Sequence, residues 1–238
     1  MIPESSERDV IWAFSTRSLK NMSLVYGDTQ DSIINRKDFL GPLGIDYRDL
    51  VCAKQTHSDH VRCVREQDRG KGALSYDASI PETDALITDI KDLPLAVFTA
   101  DCLSLFLYDP LKPAIGLVHA GWRGSRWNIA AGALRQMQAL FGTELISLKV
   151  RFGPCIGSCC YEVGPGFREN FPEGVKEREN RYYLDLVEVN KRQLLSLGVS
   201  PSNMFFSDIC TSCRNEEFFS FRKEGKTCAR MMSVMMLK

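Results

Sequence analysis

The whole chain has three histidines, and two of them stand in its most unusual segments. His57 lies in Lys54-Gln55-Thr56-His57-Ser58-Asp59-His60, and His119 in Gly116-Leu117-Val118-His119-Ala120-Gly121-Trp122-Arg123-Gly124. Between them, Thr99-Ala100-Asp101-Cys102 joins one apolar run to the next. Two imidazoles and a thiolate suit a catalytic zinc, because three protein ligands leave a position for water or substrate. Singly, such residues are ordinary: a lone His in a strand is more often a core residue, and a lone Cys a small buried hydrophobe. Their surroundings point further. Gly121 and Gly124 let backbone approach closely beside His119. Arg123 stands between them, where its planar fork of donors can meet an anion. Asp101 precedes Cys102, and a carboxylate there can orient a ligating imidazole or act as a general base. His60 falls on the face of a regular strand opposite to His57 and is left out of the ligand set.

Two further segments carry weaker signals. Gly153-Pro154-Cys155-Ile156-Gly157-Ser158-Cys159-Cys160-Tyr161 is a glycine-rich loop whose amides could form an anion nest, although it matches no phosphate-loop signature. Cys210-Thr211-Ser212-Cys213 is a single C-x-x-C pair. Without a second pair it is poor evidence for a zinc ribbon, and a structural role is preferred. Arg222 and Arg230 are candidates for the rim of a site that the sequence cannot itself locate.

The elements that must hold these residues read as a mixture. Apolar runs predict strands over Asp9–Ser15, Leu50–Val64 with an interruption, Leu95–Ala100, Cys102–Tyr108, Ala114–His119, Ile146–Gly153, Met204–Ser207 and Glu217–Phe221. Asp109-Pro110-Leu111-Lys112-Pro113 reads as a hairpin connection. Ser125 is read as the cap of a helix to about Phe141, its apolar side formed by Trp127, Ala130, Ala131, Leu134, Met137 and Phe141, with Gly142 as its stop. A second helix runs from about Leu184 to Leu197, with Gly198 as its C-cap, and a short one follows Pro165. Glu173–Arg181 reads as a solvated loop, and Ser220–Lys226 as a strand and turn. Without a regular βαβ rhythm, an α+β class is favoured over a doubly wound sheet.

Composition sets the limits. Charged residues balance at 30 basic and 30 acidic, which gives no global excess for displacing counterions from a nucleic acid. No apolar run approaches the roughly 20 residues of a membrane span. The polar N-terminus lacks a signal-peptide pattern. Nine cysteines, an odd number, read as mostly reduced thiols in a cytoplasmic protein. A single domain over residues 1–238, a monomer, is expected.

Taken in order, several motifs resemble the YfiH-type laccase-domain family, also labelled multicopper polyphenol oxidases and peptidoglycan editing factors. They are Phe14-Ser15-Thr16-Arg17, Gln55-Thr56-His57, Thr83-Asp84-Ala85-Leu86-Ile87-Thr88, Ala100-Asp101-Cys102, His119-Ala120-Gly121-Trp122-Arg123-Gly124, Gly153-Pro154-Cys155-Ile156-Gly157, Cys160-Tyr161-Glu162-Val163-Gly164, Asp208-Ile209-Cys210-Thr211 and Phe218-Phe219-Ser220-Phe221-Arg222. The resemblance implies a mixed α/β sandwich like that of cytotoxic-necrotising-factor-type cysteine hydrolases. It implies a zinc site at His57, Cys102 and His119, with phosphate contacted by Arg17 and the pocket lined by Gln55 and Arg123. It also implies purine nucleoside chemistry: phosphorolysis of adenosine, inosine, guanosine or methylthioadenosine, and deamination of adenosine. The chain departs from the family pattern at Ser18-Leu19-Lys20-Asn21, where two glycines and a serine are usual, at Ser58 in place of a glycine, at Ser104 in place of a proline, and around Cys228-Ala229.

Three chemistries follow. A zinc nucleoside enzyme would use Asp101 as proton shuttle, Arg17 and Arg123 as phosphate holders, and zinc to acidify water for deamination. A copper oxidase is the second, since two His and one Cys also suit copper, but His60 alone remains for the further coppers that a laccase needs. A metal-free hydrolase or amidase acting on peptidoglycan precursors is the third, with Cys102 as nucleophile and His119 as base. A non-enzymatic binding module ranks last.

Overall fold

The computed structural model describes Ile2, Pro3 and residues 7–238. Part of the polar N-terminal segment therefore lies outside the described residues. In chain order the strands are β1 (Ile2–Pro3), β2 (Val10–Phe14), β3 (Val51–Cys52), β4 (Val61–Cys63), β5 (Ala85–Thr88), β6 (Leu95–Thr99), β7 (Leu103–Asp109), β8 (Ala114–Ala120), β9 (Lys149–Phe152), β10 (Glu162–Val163), β11 (Val175–Arg178), β12 (Arg181–Leu184), β13 (Met204–Phe206) and β14 (Met231–Leu237). The α-helices are α1 (Thr29–Leu40), α2 (Trp122–Arg126), α3 (Ile129–Phe141), α4 (Phe167–Asn170), α5 (Leu186–Leu197) and α6 (Phe221–Glu224).

Two sheets stack at the centre. One has the order β13-β9-β7-β8-β5-β4 and the other β1-β2-β14-β6-β3. Strands β7 and β8 are buried along their whole length, so both their faces must be apolar. Alternation divides those faces. Leu103, Leu105 and Leu107 pack with Val118 against Leu134 and Met137 of α3 and Leu194 of α5. Phe106, Tyr108, Ile115 and Leu117 point the other way, onto Trp12, Leu95, Val97 and Met235 of the second sheet. The far face of that sheet buries Ile11, Ala13, Met232 and Val234 against Phe39 and Leu40 of α1. The result is four layers: helix, sheet, sheet, helices. A small third sheet, β10-β12-β11, pairs only within itself among the described residues and packs Leu184, Val163 and Val175 onto the core of the first sheet.

This mixed α/β architecture agrees with the α+β expectation, and several expected elements differ for physical reasons. The helix expected from Ser125 is two helices, because Asn128 takes a left-handed φ of 59° between α2 and α3. Ser125 is no cap: buried, it accepts from Asn190 through its hydroxyl and from Gln193 through its carbonyl. Trp127, placed on the apolar side, is 49% exposed. Glu217–Phe221 is not a strand. Phe218 and Phe219 are adjacent yet buried in one cluster, which alternation forbids, and α6 begins at Phe221. Glu173–Arg181 contributes strands rather than loop: β11 pairs with β12 from Val175↔Leu184 to Arg178↔Arg181.

Helix α1 and strand β14 were not expected. The buried side of α1 includes Ser32 and Arg36, which erases an apolar period. Arg36 spends its donors on the carbonyls of Met22, Gly72 and Ala73. Methionine-rich β14 lacks the β-branched enrichment that marks strands, yet it pairs with both β2 and β6. Among the described residues no helix is long and apolar enough to cross a membrane.

Candidate metal centre

The site is built where strands end. Cys102 lies in the connection from β6 to β7, next to Asp101, whose φ of 89° turns the chain sharply. That left-handed region is uncommon for a non-glycine residue. His119 is the penultimate residue of β8, and His57 lies in the segment between β3 and β4 with a φ of 60°. Cys102 Sγ is 3.8 Å from His57 Nε2. The two imidazole rings are 4.8 Å apart at their centroids and nearly perpendicular. The donor atoms of His57, Cys102 and His119 all lie within 4.8 Å of one another, so the trio could hold one metal ion.

Asp84 assembles this group. Fully buried at the head of β5, its carboxylate accepts from the amides of Thr56, His57 and Ser58, from the Ser58 hydroxyl, and from His119 Nδ1 at 2.7 Å. Its carbonyl also accepts from the His119 amide. One side chain thus holds the His57 loop and the His119 ring together, and leaves His119 Nε2 toward Cys102. A carboxylate behind a ligating histidine fixes the ring and raises its basicity. Ser58 adds its 2.7 Å hydroxyl bond to Asp84.

The electrostatics follow. Burial pushes the Cys102 thiol up, but the His119 charge and bonds with His119 and His57 outweigh it and hold the thiol at about 6. Burial alone would depress His119; Cys102 and Asp84 instead raise it to about 9. Asp84, despite burial, is held well below the usual carboxylate range by His119 and Ser58. Space is equally tight. A Cβ on Gly121 would lie 3.0 Å from His57 Cδ2 and 3.1 Å from Cys102 Sγ.

A cavity of about 490 Å³ opens beside the trio, within the roughly 300–1,000 Å³ usual for small-molecule sites. Arg36, Arg123, Arg222 and Arg230 line it, while Asp101 is its one lining carboxylate among the described residues. Tyr26, Tyr76, Phe98, Trp122, Tyr161 and Phe221 supply rings. Arg123 lies over the Trp122 ring, 5.0 Å from its centroid. Asp101 accepts from Thr211 Oγ1 and Ser220 Oγ, and from the Arg222 amide at 2.7 Å.

The other sequence-derived residues fall as follows. Asp101 does not orient an imidazole; Asp84 does, and Asp101 is tied to Thr211, Ser220 and Arg222 instead. Gln55 lines the cavity, but both ends of its amide are bonded to the backbone of Phe98. Arg17, expected at a phosphate, does not line the cavity. It pairs with Glu224, donates to the carbonyls of Asn215 and Phe218, and covers the Phe219 ring. His60 lies outside the trio, with Nδ1 2.9 Å from the Glu82 carbonyl, and residues 57–60 are not a strand. The Gly153–Tyr161 loop is not an anion nest: the amides of Cys155, Ile156, Gly157, Cys160 and Tyr161 are spent on protein partners. Asp84 went unassigned in the sequence, although an acid opening Asp84-Ala85-Leu86-Ile87-Thr88 between the two histidines was visible there.

A family model described as multi-copper polyphenol oxidoreductase laccase matches residues 13–238. The chain belongs to this YfiH-type laccase-domain family. Among its laccase-domain relatives, purine nucleoside phosphorylase YlmD of Geobacillus stearothermophilus is 34% identical over 223 residues, covering 90% of this chain and 81% of that protein. Adenosine deaminase RL5, from an unknown prokaryotic organism, is 30% identical over 197 residues, 79% of this chain and 75% of that one. The crystal structure of the Geobacillus stearothermophilus YlmD superposes with a TM-score of 0.92 at 32% identity, covering 97% of this chain and 93% of that one. That of Bacillus licheniformis hypothetical protein YfiH gives 0.91 at 33% identity and covers 99% of both chains.

Proposed function

We propose that this protein is a zinc-dependent purine nucleoside enzyme that cleaves adenosine, inosine, guanosine or methylthioadenosine with phosphate and also deaminates adenosine. The observation that carries the reading is the cavity. A three-donor centre stands at one wall, four arginines and a single carboxylate, Asp101, share the lining, and aromatic rings complete it. The rings suit a purine, and the cationic excess suits a phosphate. The names of the relatives support the same substrate class.

In this reading His57, Cys102 and His119 hold the zinc. A bound zinc ion supplies a Lewis acid and makes water a usable nucleophile near neutral pH. Arg123, exposed and stacked on Trp122, receives the phosphate. Asp101, its carboxylate fixed by three donors, holds or returns a proton at the substrate. Gln55 pins Phe98 and so shapes the wall. Copper oxidation by several coppers lacks donors, since the chain has three histidines and His60 is turned to Glu82.

The test is chromatography of adenosine after incubation with zinc-loaded protein, with and without phosphate, beside Cys102→Ala. Adenine formed only with phosphate establishes phosphorolysis, and inosine establishes deamination. Unchanged adenosine in every tube overturns the proposal.

One observation favours a second reading. With its thiol held at about 6 beside the His119–Asp84 pair, Cys102 has the partners of an activated nucleophile. A cysteine hydrolase would show a covalent adduct on Cys102 in the metal-free protein. Intact mass after incubation with peptidoglycan-type amide substrates distinguishes the two.

A further inference from the structure

All nine cysteines are free, and four of them converge at a second place. Cys159 and Cys160 stand on the turn after β9, and Cys210 and Cys213 on the turn after β13. Chain pairing brings these turns together: the Cys155 amide donates to Ile209 and the Thr211 amide to Cys155. The Cys213 sulfur lies 3.4 Å from those of both Cys159 and Cys160, and all four sulfurs lie within 4.8 Å of one another. These separations are far above the roughly 2.05 Å of a disulfide. They bracket the roughly 3.8 Å edge of a sulfur tetrahedron around zinc with bonds of about 2.3 Å.

We propose that Cys159, Cys160, Cys210 and Cys213 form a second, structural zinc site.

Three observations support a metal over a plain thiol cluster. Cys159 and Cys213 are exposed, whereas a cysteine kept only for packing is usually buried. Cys210 Sγ accepts from the amides of Gly157 at 3.2 Å and Cys213 at 3.4 Å. Such donors partly neutralise a thiolate and orient it, as outer partners of metal ligands do. A Cβ on Gly157 would lie 3.2 Å from Cys159 Sγ and 3.4 Å from Cys210 Cβ, so the absent side chain lets the sulfurs approach. Four thiolates suit zinc and leave no open position, which makes the site structural. Its effect reaches the cavity from behind. One turn carries Ile156 and Tyr161 of the cavity wall, and the other carries Thr211, the partner of Asp101.

The experiment is elemental analysis of the full chain, purified under reducing conditions, loaded with zinc and desalted. Two zinc ions per chain are expected in the wild type and one in Cys102→Ala/His119→Ala. Cobalt loaded into that double variant should show the intense sulfur-to-metal charge-transfer bands of a tetrathiolate site. Cys210→Ser/Cys213→Ser should lose this ion and melt at a lower temperature. If that variant does not fold, the cobalt spectrum decides alone. Zinc absent from Cys102→Ala/His119→Ala, cobalt without thiolate bands, iron in place of zinc, or a disulfide among the four in fresh protein would each overturn the proposal.

Discussion

The two sulfur centres of this molecule are built in opposite ways. The His57–Cys102–His119 trio stands at strand ends against a buried carboxylate, has three donors and opens on a cavity. The four-cysteine cluster stands on two turns at the surface, with backbone amides as its outer partners. The difference separates two demands. A site that must leave a position open needs its few ligands held rigidly by other side chains. A site that only fastens two loops can let the ion organise its ligands, because binding and folding free energy are then shared.

The largest expected effect is at the trio. Cys102→Ala should abolish metal binding there and reduce nucleoside turnover to background, read by metal content and chromatography, while the cysteine cluster keeps its zinc. Asp84→Asn comes next. It keeps all three ligands but loses the acceptor behind His119, and should cost roughly 10–100-fold in metal affinity or activity. Competition with a chelator measures it, and an unchanged affinity would remove Asp84 from its organising role.

The two glycines offer a matched pair. Gly121→Ala crowds His57 and Cys102, and Gly157→Ala crowds Cys159 and Cys210. Each should destabilise by about 1–3 kcal/mol, the usual range for overpacking, and weaken only its own metal. Cross-effects in elemental analysis would show that the centres are coupled.

The smallest effect concerns the carboxylate beside the cysteine turn. Asp185 caps α5 through the Glu188 amide and accepts from Lys176 and Ser158. Although burial opposes it, the Lys176 bond and the Glu188 amide lower its pKa. A lowered folded value means stability present above the ordinary carboxylate value and lost as pH falls through the folded one. Asp185→Ala should therefore cost about 1 kcal/mol at neutral pH, and the deficit should narrow on acidification, as thermal melts at several pH values would record.

Legibility followed the range of the interactions. Strands β6, β7 and β8 were readable because burial on both faces demands continuous apolar runs. Gly142 and Gly198, with left-handed φ of 69° and 101°, ended their helices as local chemistry requires. Helix α1 was not readable, because Arg36 is buried by bonds to carbonyls distant in sequence. Strand β14 was missed for want of β-branched residues.

By itself the sequence determined which residue types were available for chemistry, since three histidines and an adjacent Asp-Cys leave few ways to build a centre. It determined the family through motifs spread along the chain. Tertiary structure decided the partners. It put Asp84 rather than Asp101 behind His119, turned Arg17 to Glu224, and brought Cys159 and Cys160 to a C-x-x-C pair more than forty residues away. The physical reason is that side-chain direction at these places is set by left-handed backbone and cross-sheet pairing, and neither leaves a local pattern of residue types.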